Sequence, residues 1–261
     1  MPLFSHRHPR AVFGAGALVA SLLAAVPLQA QNAADKLDKS AIESIVKEYL
    51  LKNPEIIQEA MVELQRRQSE AEAKAVKKIT GDKTSPLYVS EHHTVVGNPK
   101  GDVTIVEFFD FNCGFCKRGL ADVEKLLETD KNVRVIFKEF PILAPGSREA
   151  SVVALALREQ FDGQKLWKFH ATLLNTRGTI GKAQALAVAK DLGADMKGLE
   201  TAMNSPKIQE ALDESKLLAE ALGINGTPSY IVAEDLVVGA RGFEALQTRV
   251  ANYRKCQKAE C

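Results

Sequence analysis

The chain has 261 residues, 46% of them hydrophobic and 26% charged, which is enough apolar content to bury a core without a framework of disulfides. With 34 basic residues against 33 acidic and a formal charge of +1, no basic block recommends nucleic acid as a partner. Work on proteins or small molecules is the expectation.

The first thirty residues differ in kind from the rest. Arg7 and Arg10 lie in a short basic start, the apolar run "AVFGAGALVASLLAAVPL" follows, and "LQA" offers Ala30 as a cleavage position. This pattern predicts a secretory signal peptide over residues 1–30, with a retained membrane anchor as the alternative because the run approaches the roughly 18 residues that span a bilayer. Export to the periplasm would place all four cysteines where thiols oxidise.

Residues 31–80 read as a helical oligomerisation segment. Ile42, Ile45, Val46, Tyr49 and Leu50 recur at helical spacing, as do Ile56, Ile57, Ala60, Met61 and Leu64. Asn53-Pro54 between them is a cap-and-first-turn signal, so two helices with a break are expected. Each stripe needs cover, either from the domain behind it or from copies of itself, and self-association into a homo-oligomer is the preferred reading. Residues 81–101 carry Gly81, Pro86, Gly97, Pro99 and Gly101 and read as a partly flexible linker with a short strand near Val95 and Val96. His92 and His93 within it read as a solvated loop pair.

A compact alternation occupies residues 102–255. "VTIVEFF" reads as a buried strand, "CKRGLADVEKLLET" as a helix and "VRVIFKEF" as a strand, making a βαβ unit. Residues 145–222 are helical in some five segments, one of them only a short turn near Asp195 to Met203. "SYIVA" and "LVVG" then form a hairpin, and "GFEALQTRVANYRKC" closes with a helix. The fold class is therefore α/β: one sheet whose sequence is interrupted by an inserted helical domain.

The chemistry concentrates in "FFDFNCGFCK". A cysteine at a helix start meets unpaired backbone N–H groups, which lower a thiol pKa from about 8.5 into a range of roughly 3.5 to 7.5. Cys113 is thus the expected nucleophile and Cys116, one turn further in, the protonated resolving thiol. A zinc knuckle completed by Cys256 and Cys261 is an alternative, disfavoured by a strand-to-helix junction that points the first thiol to solvent. A purely structural bridge is another, disfavoured because so small a loop restrains little of the unfolded chain.

"FFDFNCGFCK" after a strand, a helical block, and "GTPSYIV" before the last hairpin together resemble the thioredoxin-fold disulfide oxidoreductases of the DsbA group, over about residues 87–255. The resemblance implies a cis Pro228 facing the cysteine pair and a Thr227 whose backbone pairs with substrate. It also implies that Glu107, six residues before Cys113, relays the proton of the resolving thiol, whereas a strand-edge glutamate facing water is the plainer reading. Lys138 and Glu139 are either tuners of this region or a surface ion pair, and Trp167 and His170 are expected in a core. "GF" between the cysteines, threonine before the proline, and the helical stretch ahead of the domain resemble the isomerase-like and ScsC-type members. That implies disulfide isomerase or reductase action on protein substrates, a trimeric assembly, a membrane redox partner and no cofactor. A dithiol oxidase or a copper-binding chaperone stands as the alternative; glutathione transferases of the kappa type, which do not need "CGFC", rank low. Cys256 and Cys261 have no counterpart in these motifs, and they can bond to each other only if the last helix ends between them.

Overall fold

The computed structural model describes residues 39–232 and 234–261, so the signal-peptide expectation for residues 1–30 lies outside the described residues. The chain divides into two compact units, one ending at Met61 and the other running from Val62 to Cys261.

The first unit holds α1 (Lys39–Lys52) and the start of α2 (Glu55–Gly81). Ile42, Ile45, Val46, Tyr49 and Leu51 are all exposed along α1, which buries no residue of its own. The i,i+4 pairs Lys39–Glu43 and Lys52–Glu48 line the helix, each worth only a few tenths of a kcal/mol. The break falls at Asn53-Pro54 as the pattern predicts, but Asn53 serves the helix before it: its side-chain amide donates to the Tyr49 carbonyl at 2.8 Å.

The second unit is built on a five-stranded sheet in the order β1-β3-β2-β4-β5. β2 (Val103–Phe109) and β3 (Val133–Glu139) run parallel, joined by α3 (Gly114–Thr129). β1 (Thr94–Gly97) adds antiparallel to β3. β4 (Ser229–Val232) adds antiparallel to β2 and continues into β5 (Asp235–Val238). Because both faces of the sheet are covered, β2 and β3 are near-continuous apolar runs rather than alternating ones. One face packs Val103, Ile105, Phe109, Val135 and Phe137 against α3, the helical insertion and α9 (Phe243–Cys256). The other packs Val106, Phe108, Ile136 and Ile231 against the end of α8, with Val76 and Ile79 of α2 alongside.

Five helices fill the insertion: α4 (Pro145–Leu157), α5 (Gly163–Asn175), α6 (Lys182–Asp191), α7 (Met196–Ala202) and α8 (Pro206–Ala221). The segment expected as a short turn is helix α7, nucleated by Asp195, whose carboxylate accepts from the Lys197 and Gly198 amides. Ser205 caps α8, with Pro206 in its first turn.

The linker is more structured than its glycines and prolines imply. Leu87 and Tyr88 are buried in the second core cluster, the Tyr88 hydroxyl donates to the Thr80 carbonyl at 2.7 Å, and Thr94–Gly97 is a paired strand. His93 is buried rather than solvated, and burial, with the charges of Lys138, Arg134 and Arg158 behind it, pushes its pKa down to about 3. At the other end, α9 stops at Cys256 and Gln257 takes a left-handed conformation, φ 58°. That turn brings Cys261 back to a disulfide with Cys256, so these two sulfurs are joined to each other rather than gathered with Cys113 and Cys116.

Candidate active site

β2 runs out at Phe109 and the chain turns through Asp110 to Asn112 before α3 begins. Cys113 is the N-cap of that helix, in extended conformation, and its Sγ accepts from the Cys116 amide at 3.4 Å. The Thr227–Pro228 peptide is cis, and the Thr227 carbonyl accepts from the Cys113 thiol at 3.0 Å. Sγ therefore sits between the start of α3 and the loop entering β4. Cys113 is only 5% exposed, so the picture of a first thiol pointing to solvent is corrected: Thr227 covers it, while Phe115 behind it is open.

The Cys113 pKa is lowered to about 5. The Cys116 side chain, hydrogen-bonding the thiolate, is the largest cause; burial opposes it, and the Thr227 side chain and the Cys116 and Phe115 amides add to it. The helix-start amides that motivate a low pKa from sequence are thus present, but they rank behind the partner thiol. Cys116 is fully buried and moves the opposite way, pushed well above the ordinary thiol range by burial first, then by its bond to Cys113 and the charge of Glu107.

Glu107 is 2% exposed, which rejects the water-facing alternative. It pairs across the sheet with Tyr230. Burial pushes its pKa up to about 8, and negative charge on Cys113 and Asp122 adds to the rise. The Tyr230 hydroxyl pulls it back, although it stands outside full hydrogen-bonding geometry.

One alternative for the neighbouring charges fails. Lys138 and Glu139 are both buried and face opposite sides of β3, so they are no surface ion pair. The Lys138 ammonium donates to Glu214 of α8 and, at 2.9 Å, to the Pro86 carbonyl. Glu139 is pushed up to about 7 by burial. His170 lies in the core as expected and Trp167 packs against it partly buried: His170 sits 4.1 Å from the Phe137 ring and 4.4 Å from that of Phe109, with its pKa pushed down to about 3 by burial.

Asp110 and Asn112 belong to the site and escaped the sequence reading. Asn112 Oδ1 accepts from the Ile180 amide at 2.7 Å, and its Nδ2 donates to the Ile180 carbonyl and to Ser147 Oγ. The residue before Cys113 is thereby fastened to the helical insertion. The signal available was Asp110 and Asn112 just past the apolar end of a buried strand, where polar residues are rarely spent without partners.

This pairing of a capped, acidic thiol with a cis-proline loop is what known proteins can be compared on. A family model described as DSBA-like thioredoxin domain matches residues 104–251, more than half of the chain. The chain belongs to the DSBA-like thioredoxin family. Ahead of this domain, residues 38–71 match the model described as Copper resistance protein ScsC N-terminal domain. Among solved structures, a thioredoxin-like oxidoreductase from Silicibacter pomeroyi is 39% identical, with a TM-score of 0.63 over 67% of this chain and 99% of that one. The thiol-disulfide exchange protein alpha-DsbA2 from Wolbachia pipientis is 28% identical, with a TM-score of 0.63 over 70% of this chain and 97% of that one. Proteus mirabilis ScsC in a compact conformation shares the fold at 23% identity, with a TM-score of 0.63 over 84% of this chain and all of that one, 100%. Among curated proteins, Na(+)/H(+) antiporter NhaA 1 of Salinispora arenicola is 28% identical over 162 residues, 60% of this chain. The chain spans about a quarter, 24%, of the length of the curated relatives it matches. No described helix of this DSBA-like protein is long and apolar enough to cross a membrane.

Proposed function

We propose that this DSBA-like protein is an exported thiol–disulfide oxidoreductase that acts on protein substrates as a disulfide isomerase or reductase. The observation that carries the reading is the position of Cys113 Sγ, at the N-cap of α3 and 3.0 Å from the Thr227 carbonyl, with a pKa lowered to about 5. At neutral pH the thiolate attacks a client disulfide: a bond forms from Cys113 to one client sulfur, the client S–S bond breaks, and the other client sulfur leaves as thiolate. In isomerisation that thiolate attacks elsewhere in the client. A client thiolate then displaces Cys113 from the mixed disulfide, so no net electrons pass. In reduction Cys116 gives its proton to Glu107 and attacks Cys113 Sγ, forming the enzyme disulfide and releasing the client sulfur with two electrons transferred. A carboxyl poised at about 8 suits Glu107 to take and return that proton. Thr227 and Pro228 form the ledge on which the client strand pairs beside Cys113. No cofactor enters, and a dithiol partner in the membrane would restore the reduced pair.

Residues 1–30 act in this proposal as the export signal to the periplasm, a compartment that the name of one relative, a periplasmic thioredoxin-like protein from Salmonella enterica, also carries. Residues 31–80 gather several copies, as a trimer, with residues 81–101 joining them to the redox domain at 102–255. The exposed apolar stripe of α1 and the ScsC N-terminal match support this. Several redox sites around one assembly would hold a misfolded client while its bridges rearrange.

Reactivation of a scrambled multi-disulfide protein tests the reading. The reduced enzyme should restore its activity and Cys113→Ala should not; rapid oxidation of a reduced client with no reactivation would assign the oxidase role instead. Stoichiometric copper retained through purification, without insulin reduction, would favour a metal chaperone. Deleting residues 31–61 spares Val76 and Ile79, which pack on the second core cluster, and should yield monomers in light scattering. An unchanged mass would refute the assembly.

A further inference from the structure

Cys256 and Cys261 are joined to each other and stand outside the exchange site. Their bridge encloses residues 257–260 and holds them lightly: Asn252 Nδ2 donates to the Ala259 carbonyl at 2.8 Å, and Ala259 packs partly buried against the first core cluster. A loop this small restrains little of the unfolded chain, so the bridge is a poor staple. Its sulfurs are open instead, Cys256 half-buried and Cys261 exposed. Exposed disulfides are the ones that exchange readily with thiols.

The fold keeps the two cysteine pairs of one chain apart. The Arg254 guanidinium, two residues before Cys256, bonds Asp102 ahead of β2 and Asp130 after α3. Cys113 caps the opposite end of α3, which at 16 residues is about 24 Å long. Exchange between the pairs therefore runs from one copy to another. They also differ in how they hold a thiolate. Cys113 Sγ accepts from the Cys116 amide, and its pKa is lowered to about 5. Around the tail pair stand carbonyl oxygens: that of Asn252 is 3.5 Å from Cys261 Sγ, and those of Lys258 and Glu260 are 3.8 and 3.9 Å from Cys256 Sγ. Acceptors give no help to a negative sulfur, and the exposed Lys255 and Lys258 contribute only screened charge. Electrons shared between the pairs should settle on Cys113 and Cys116, whose reduced form the fold stabilises. The structure holds that outcome, with Cys256–Cys261 joined and Cys113 and Cys116 free.

We infer that Cys256 and Cys261 are a second redox-active pair, an entry point at which a dithiol reductant delivers two electrons that then pass to the Cys113–Cys116 disulfide of another copy. The inference rests on the exchange reading above. A thiolate of the reductant attacks the exposed Cys261, Cys256 leaves, and the reductant closes its own disulfide, so the tail pair is left reduced. A tail thiolate of one copy then attacks Cys113 Sγ of another; the Cys113–Cys116 bond breaks, and Cys116 leaves with a proton from Glu107. The second tail thiolate attacks its neighbour in the mixed disulfide, Cys256–Cys261 re-forms, and Cys113 leaves as thiolate. Of the two tail protons, one is made good on Cys116 by way of Glu107 and water, and the other goes to solvent.

Donor and acceptor variants of the full-length protein test it. Cys113→Ser/Cys116→Ser carries the tail pair alone; it is reduced by dithiothreitol without denaturant and then freed of the reagent. Cys256→Ser/Cys261→Ser carries the active pair alone and is oxidised; should it not fold, oxidised wild type takes its place. Alkylation of the mixture at intervals, read by peptide mass, follows Cys113 and Cys116. They should become reduced while the donor's tail pair closes, with the equilibrium favouring this direction by at least about tenfold. Adding Cys256→Ser to the donor should leave a Cys261–Cys113 mixed disulfide as the furthest product. A tail pair that dithiothreitol opens only in denaturant, an active pair left oxidised, or an equilibrium lying the other way overturns the inference. Reduced wild type is offered insulin alongside: failure there refutes the exchange reading, whereas insulin reduction without transfer from the tail refutes the relay alone.

Discussion

Replacing Cys116 by alanine should raise the pKa of Cys113, because the Cys116 side chain is the largest cause of its depression. With a pKa of about 5, Cys113 holds about 100 thiolates per thiol at pH 7, whereas an ordinary thiol near 8.5 would hold about one thiolate per 30 thiols. The variant keeps the amides of residues 115 and 116 and the Thr227 side chain, so its midpoint should settle between those two values. Thiolate absorbance in the ultraviolet, followed against pH and checked by alkylation rate, reads this directly. At pH 5 the wild type should be roughly half ionised and the variant clearly less. A midpoint left at about 5 would return the whole effect to the helix-start amides and refute the role given to the partner thiol. The same depression carries a sign for stability. The unfolded thiol binds more protons than the folded one between about 5 and 9, so the contribution to the reduced state is complete above the unfolded pKa and is lost as pH falls through about 5. The oxidised form lacks this contribution, and the reduced form's Tm relative to it should climb across that window.

Glu107 runs the other way. With its folded pKa raised to about 8, stability of the reduced protein should fall as pH rises from about 4.5 to 8, by up to order 4 kcal/mol, and Glu107→Gln should abolish that decline in pH-dependent denaturation. A slope unchanged in the variant would mean that Glu107 titrates normally. Gly119→Ala sets a methyl 2.6 Å from Tyr230 Oη and should cost about 1–3 kcal/mol, with Tyr230→Phe in the same chain recovering part of it; urea midpoints that simply add would count against the contact. Glu214→Gln leaves the buried Lys138 ammonium without its carboxylate and should cost about 3 kcal/mol, more than Lys138→Met, which removes the buried charge and leaves the partly exposed Glu214 and the Pro86 carbonyl without that donor. Thermal denaturation of the two variants compares them, and the reverse order would refute the argument.

The strands and helices were legible because their signals are local. "VTIVEFF" can be little other than a strand buried on both faces, and α8 follows from its helical spacing, whereas the 7-residue α7 reads as no more than a short turn although Asp195 caps it. Cys113 was legible as a helix-start thiol for the same reason. What escaped depended on contacts between distant residues. No local pattern says that Lys138 finds Glu214, that Leu87 and Tyr88 are recruited from a glycine- and proline-rich linker into a core, or that His93 is buried. Asp110 and Asn112 looked like loop residues because their partners, Ile142, Leu143, Ser147 and Ile180, lie some thirty to seventy residues on. Cys113 was placed in solvent because the residue that covers it, Thr227, arrives from across the sheet.

That long reach bears on the order in which the molecule is made. Ile105 pairs with Val135 on one side and with Val232 on the other, so the second partner is synthesised roughly a hundred residues after the first, at a loop-closure cost about 1 kcal/mol greater. Until β4 docks, neither the Thr227 carbonyl nor its side chain stands over Cys113, and Glu107 lacks its cross-strand neighbour Tyr230. A polypeptide emerging amino end first would therefore carry its reactive sulfur uncovered through most of its biogenesis, and the Thr227 cover arrives only in the closing step, when the hairpin seals the sheet.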